Sequence, residues 1–300
     1  MTTHATPVSD DREPGGPIFQ HPLAYAIGIE GLALLRAFAG EYDREFTLRR
    51  LNEIRHLLDE GDPLGEGRYV EPTSAPSGYA TWAQRYDGPG NSLFEIEEAI
   101  TLPILDSLPK GIAVDAGCGT GRLAGYLASR GHQVSGFDSS PDMLDLARAK
   151  NPDVSFGVAD LRSLPVNDSS VDLVVSALAL AHIRDLAPVF KEWARVLNAG
   201  GNLVVSDTRG QFPGSHLYPC VEALPTGDFG YIPSWRHATA EYIRAALDSG
   251  FNLVDCHEPL QHASLPSKEK YVPDNPAEPP SEWSPAEWCT TDLSERVPPT

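Results

Sequence analysis

A chain of 300 residues with 41% hydrophobic and 22% charged side chains can bury a real core, and has room for one large domain with appendages or two modest ones. A formal net charge of −19 without any basic run argues against a nucleic-acid partner held through its phosphates. The cysteines Cys118, Cys220, Cys256 and Cys289 are too scattered for a zinc site or a dense disulfide framework, so a reducing cytoplasm is the expected setting.

In chain order, residues 1–20 read as a Pro-, Gly- and Asp-rich disordered tail without the basic start and apolar run of a signal peptide. A helix follows from Pro22 to Gly40; Glu30 and Arg36 interrupt its apolar stretch, which excludes a membrane span. The next helix, Thr47–Glu60, carries Leu51, Ile54 and Leu58 at helical spacing, a stripe that has to be buried. It can cover its own domain, act as a lid or form a homodimer contact. Residues 61–78, with three prolines and four glycines, read as a connector, and Leu93–Leu108 as a helix stopped by Pro109-Lys110-Gly111.

Strands and helices then alternate. Ile112–Asp115, Gln133–Phe137, Val154–Val158, Val171–Ser176 and Asn202–Ser206 read as strands. A helix through Arg130, then Pro141–Lys150 and Leu186–Leu197, fill the gaps between them. Ala240–Ser249 and Asn252–Cys256 supply a last helix and a sixth strand. The expected fold is α/β, a Rossmann-like, mostly parallel sheet covered on both faces, with a helical extension before it. Domain boundaries are expected at a tail 1–20, an extension and connector 21–92, the α/β domain 93–258 and a Pro-rich acidic tail 259–300. Residues 207–238 read as a long connector rich in aromatics.

The informative stretch is Val114-Asp115-Ala116-Gly117-Cys118-Gly119-Thr120-Gly121. It leaves a strand and opens a helix, where a tight turn presents backbone N–H groups to a ligand. Seventeen residues beyond Gly121, Asp138 ends the second strand, where a carboxylate can accept from both hydroxyls of a ribose. A dinucleotide loop would need glycine where Arg122 stands, and the G-x-x-x-x-G-K-[ST] phosphate loop is absent.

Asp115-Ala116-Gly117-Cys118-Gly119-Thr120-Gly121 resembles the signature loop of the class I S-adenosylmethionine-dependent methyltransferases, and the likeness runs over roughly residues 75–258. The resemblance implies S-adenosylmethionine as cofactor, its aminoacyl end and sugar on the loop (Asp115, Gly117, Cys118, Gly119). Asp138-Ser139 with Met143 looks like the ribose motif, Asp160-Leu161 like the adenine-edge motif, and Ser176–His182, with Ala177, like the segment beneath the cofactor. Tyr79–Asp87 is similar to the family's aromatic entry segment, which implicates Tyr79 and Tyr86 at the cofactor carboxylate. A general base is needed only if the nucleophile starts protonated, and then His182, His216 or His237 is the candidate. Trp82, His216, Tyr218, Tyr231, Trp235 and His237 are candidate substrate-lining residues. The implied activity is in-line methyl transfer to a small molecule, with no metal, nucleic acid or membrane as partner. The alternative that keeps the fold is a cofactor-binding protein that does not methylate, a cyclase or a regulatory scaffold; a nicotinamide oxidoreductase is disfavoured by Arg122. The resemblance also implies a seventh, antiparallel strand, but the sixth runs into the Pro-rich tail, so the sheet edge is either incomplete, completed by another chain, or completed by residues beyond this sequence.

Overall fold

The computed structural model describes residues 16–59, 66–83, 92–208, 217–223 and 229–258, which fall into two compact units, Gly15–Glu71 and Pro72–Pro259. In the first unit, β1 (Ile18–Gln20) precedes α1 (Pro22–Phe38) and α2 (Arg44–Asp59), and β2 (Arg68–Pro72) closes it. β1 and β2 pair antiparallel, Ile18 opposite Val70. Pro22 pre-sets the first helical φ of α1, and the left-handed Gly40 follows its C-terminus. Ile29 and Ala33 of α1 are buried, as are Phe46 and Leu57 of α2.

The buried stripe of α2 is not the one its apolar residues mark. Phe46, Arg50, Glu53 and Leu57 turn inward, whereas Leu51 and Leu58 are 37% and 60% exposed. The Arg50 guanidinium lies 3.0 Å from Glu30 and 2.8 Å from Glu53, so each of the two buried carboxylates has a cation beside it. Such a set is tolerated only when every charge is paired, and pairing is invisible to a hydrophobicity pattern.

The second unit begins with α3 (Ala75–Trp82) and α4 (Ser92–Ser107). It alternates through β3 (Ile112–Ala116), α5 (Arg122–Ser129), β4 (Gln133–Asp138), α6 (Pro141–Lys150), β5 (Ser155–Val158) and β6 (Val171–Ala177). A 3₁₀ turn (Leu180–His182) follows, then α7 (Ala187–Val196), β7 (Leu197–Ser206), β8 (Leu217–Ala223), β9 (Phe229–Trp235) and α8 (Thr239–Asp248). The central sheet is parallel throughout, in the order β5-β4-β3-β6-β7. The period-2 alternation of β3 explains its two cores. Ala113, with Leu173 and Val175, packs with Leu105 of α4 and Leu123, Ala124 and Leu127 of α5. Val114 and Ala116, with Val174, pack with Phe190 and Trp193 of α7 and Ala245 of α8.

The chain runs from β3 outward to β5 and then returns to β6 on the other side of β3. The carboxyl ends of β3 and β6 therefore form a topological switch point, where a doubly wound sheet opens a crevice.

Five expectations need correction. The end of the proposed tail forms β1, and the 61–78 connector contains β2 and the start of α3, whose Ser74 hydroxyl accepts the Ser77 N–H as an N-cap. Residues 207–238 include an antiparallel hairpin, β8 with β9, Leu217 opposite Trp235. β7 starts at Leu197, not Asn202, so the Asn198–Gly201 helix stop lies within a strand. Asn252–Cys256 forms no strand, and Leu253 and Val254 stay 55% and 94% exposed. An apolar pair becomes a strand only where a neighbouring edge supplies its ladder. Among the described residues, no helix is long and apolar enough to cross a membrane.

Candidate functional site

The turn after β3 is built from left-handed glycines. Gly117, Gly119 and Gly121 have φ of 79°, 52° and 80°, a region that costs a side-chain-bearing residue. Space is equally demanding: a Cβ on Gly117 would lie 2.6 Å from that of Ala179, in the segment leaving β6. The turn is tied to β4. Gly117 and Cys118 donate their N–H groups to the Phe137 carbonyl at 2.7 and 3.0 Å. Gly119 N–H donates to Asp138 Oδ2 at 2.8 Å, and the other Asp138 oxygen accepts Ser140 N–H at 2.9 Å. Burial raises the Asp138 carboxyl above its usual range while these backbone bonds oppose the shift.

Beneath the turn lies Asp115, 2% exposed. Among the described residues its Oδ2 is buried without a hydrogen-bond partner. Burial pushes its pKa up to about 7, against the Ala124 N–H and the charge of Arg122. Asp115 lines a cleft of ≈ 30 Å³ together with Gly117, Cys118, Gly119, Arg122 and Ala177. A carboxylate so placed gains most from a cation, which would supply the missing partner and favour ionisation. Arg122, read from sequence only as a missing glycine, has its own task. It lies 2.8 Å from Glu97 and 2.9 Å from Glu98, with its guanidinium over the Phe94 ring, and so ties α4 to the loop.

The other candidates fare unevenly. Leu161 sits opposite Gly117, 3.8 Å from where a Cβ would be. Both Asp160 oxygens are engaged by the Arg162 side chain, which holds that carboxyl below its usual range. Ser139 is exposed beside Asp138, and Met143 is 2% exposed in the core of α6. Cys118 is buried, and its thiol pKa is strongly raised by desolvation, so it is no thiolate.

Tyr79 and His182 come together across 103 residues: the phenol oxygen is 2.7 Å from His182 Nε2, the rings edge to face. Burial lowers the His182 pKa. His237 Nε2 donates to the Ile183 carbonyl at 2.7 Å, and its ring meets Tyr242 edge-on. The Tyr242 hydroxyl donates to Asp207 at 2.9 Å, and burial raises Asp207 to about 6. Asp207 and Tyr242 escaped the sequence reading, although Asp207 directly follows the apolar run of β7. Tyr231 is 1% exposed and belongs to the packing, while Trp235 carries the Arg184 guanidinium 5.3 Å above its ring. Tyr86 and His216, and the side chains of Trp82 and Tyr218, lie outside the described residues. No group of three or more His, Cys, Asp or Glu able to hold a metal occurs among the described residues.

Residues 114–205 match the family model described as a methyltransferase domain. The chain is 33% identical over 141 residues to malonyl-[acyl-carrier protein] O-methyltransferase of Hahella chejuensis, covering 46% of this chain and 50% of that one. It is 38% identical over 89 residues to demethylmenaquinone methyltransferase of Chlorobaculum parvum, 29% of this chain and 37% of the relative. The chain thus spans about half the length, or less, of these curated relatives. A solved S-adenosylmethionine-dependent methyltransferase from Mesorhizobium loti aligns at 27% identity and a TM-score of 0.41, over 50% of this chain and 80% of that one.

Proposed function

We propose that this chain, whose residues 114–205 match a methyltransferase domain, is a class I S-adenosylmethionine-dependent methyltransferase that transfers the methyl group of that cofactor to a small-molecule acceptor. The observation that carries the reading is Asp115, a buried carboxylate with an unpartnered oxygen at the foot of three left-handed glycines. That arrangement suits a ligand carrying positive charge, an alkyl chain and a ribose better than a pyrophosphate, which would need donors and no buried anion. Gly117 and Gly119 admit the ligand close to the backbone. Asp138, anchored by two N–H groups, keeps lone pairs for the ribose hydroxyls. Leu161 and Ala177 offer the adenosine apolar contact, and Asp160, occupied by Arg162, shapes its turn.

Bound S-adenosylmethionine supplies a methyl on a cationic sulfur, open to in-line displacement by a nucleophile. The protein's share is orientation and exclusion of water, with Arg122 holding α4 against the loop. The acidic chain without a basic run supports a metabolite rather than a nucleic acid, and the scattered cysteines support a reducing, cytoplasmic setting. The relatives named for a carrier-bound malonyl group and for demethylmenaquinone support the same class. The exposed Leu35 and Phe38 of α1 support a contact between two copies of the extension. Titration calorimetry with S-adenosylmethionine and S-adenosylhomocysteine tests the core of the reading: heat with both is expected, lost in Asp138→Ala. Transfer of a labelled methyl to a metabolite extract follows, and silence with both ligands refutes it.

A further inference from the structure

The geometry points to Asp115 as a charge exchanger: in the free protein it stands as a neutral acid, and it gives up its proton when a ligand's ammonium group comes to lie beside it. This inference rests on the methyl-transfer reading of the same site. It adds that cofactor binding expels a proton and demands a cationic amine.

The sheet fixes Asp115 from both sides, opposite Gly136 of β4 and Val175 of β6. The residue is 2% exposed, and its Oδ2 is buried without a hydrogen-bond partner among the described residues. The Ala124 N–H, in the first turn of α5, turns to the carboxyl. Service to the helix accounts for one oxygen. The other, unpartnered, belongs to a residue that lines a cleft with Gly117, Gly119 and Ala177.

The charges that face Asp115 come from three elements: Arg122 of α5, Glu97 of α4 and Asp138 at the end of β4. The Cys118 thiol in the turn stays protonated. Arg122 Nη1 lies 2.8 Å from Glu97 and 2.9 Å from Glu98, so its charge is already shared by two other carboxylates. Glu97 is anchored in turn by the Ser206 hydroxyl at 3.0 Å, and its side chain is buried. An ionised Asp115 would therefore sit out of water beside two like charges, facing a cation committed elsewhere. A buried carboxyl so placed neutralises itself by keeping its proton. Burial accordingly pushes its pKa up to about 7.

In the exchange, an ammonium N–H donates to Oδ2 while the Asp115 O–H bond breaks. The electron pair stays on the carboxylate and the proton leaves to solvent. The ammonium keeps its charge, and the two groups neutralise each other. The free protein thus holds a proton that the complex lacks, so rising pH favours the complex. Linkage makes the affinity climb about tenfold per pH unit below the window and level off above it. A nucleoside ligand without the amine leaves the proton in place.

The test is titration calorimetry of the full chain with S-adenosylhomocysteine, in phosphate and imidazole at about pH 6 and in phosphate and Tris at about pH 8. The buffer dependence of the heat counts the protons released. Close to one proton is expected at the lower pH and almost none at the higher. 5′-Methylthioadenosine, which has no amine, is expected to release none at either. Asp115→Asn should release none and show an affinity flat with pH, whereas Asp138→Asn, though weaker, should keep the release. Heat without buffer dependence at the lower pH overturns the exchange. So does equal release with both ligands, or a release that survives in Asp115→Asn. Should Asp115→Asn fail to fold, the comparison of the two ligands on the wild type decides alone. Absence of heat with S-adenosylhomocysteine and S-adenosylmethionine at both pH values instead removes the methyl-transfer reading beneath it.

Discussion

Replacing Asp138 by asparagine keeps the side chain's size and exchanges one acceptor oxygen for an NH₂ donor. In the native site Oδ2 accepts Gly119 N–H at 2.8 Å and Oδ1 accepts Ser140 N–H at 2.9 Å. Whichever way the amide turns, one N–H meets another donor and loses its bond, while the second loses the help of the charge. A hydrogen bond to a charged group contributes about 1.5–3 kcal/mol. Asp138 is only partly buried, so water can replace part of the loss. Its carboxylate also carries a desolvation cost that the amide relieves. Both corrections favour the low end, about 1.5 kcal/mol of folding stability without ligand. A ribose hydroxyl facing the amide loses an acceptor on the same scale, so S-adenosylhomocysteine affinity is expected to fall a further ten- to hundredfold, at about 1.4 kcal/mol per decade. Urea unfolding with and without S-adenosylhomocysteine separates the two losses, and calorimetry measures the second directly. An unchanged urea midpoint together with unchanged affinity would refute the role assigned to both oxygens.

Asp115, raised from 3.8 to about 7, binds its proton more tightly in the folded chain than in the unfolded one. Its contribution therefore lowers stability as pH rises through that window and levels off above it; Asp115→Asn should flatten this fall in pH-dependent urea unfolding. Asp207, raised to about 6, acts in the same direction over a narrower window and accounts for the slope that remains. Gly117→Ala pays for a left-handed φ and a 2.6 Å contact with Ala179, an expected loss of about 1–3 kcal/mol in thermal unfolding, with weakened cofactor binding by calorimetry. Arg122→Gln leaves the buried Glu97 without its cation and should cost about 2 kcal/mol; adding Glu97→Gln should recover most of it, and strictly additive losses in the double-mutant cycle would show that the pair is not coupled.

What could be read from the chain alone was whatever its chemistry writes locally. The buried strands announce themselves as apolar runs, and the loop as glycines between a strand and a helix. Asp138 is legible because a strand's end fixes which residue sits beside that loop. For the same reason the parallel sheet and the candidate cofactor cradle could be expected before any coordinates. The tertiary structure decided what depends on partners distant in sequence. Tyr79 meets His182 across 103 positions, Arg122 reaches back to Glu97 and Glu98 on α4, and the inward face of α2 is chosen by Glu30 pairing with Arg50. Leu253 and Val254 look like a strand but stay outside the sheet, while β8 and β9 pair within a stretch that reads as loop. In each case the free energy lies in a contact between segments, and neither periodicity nor propensity encodes which segments will meet.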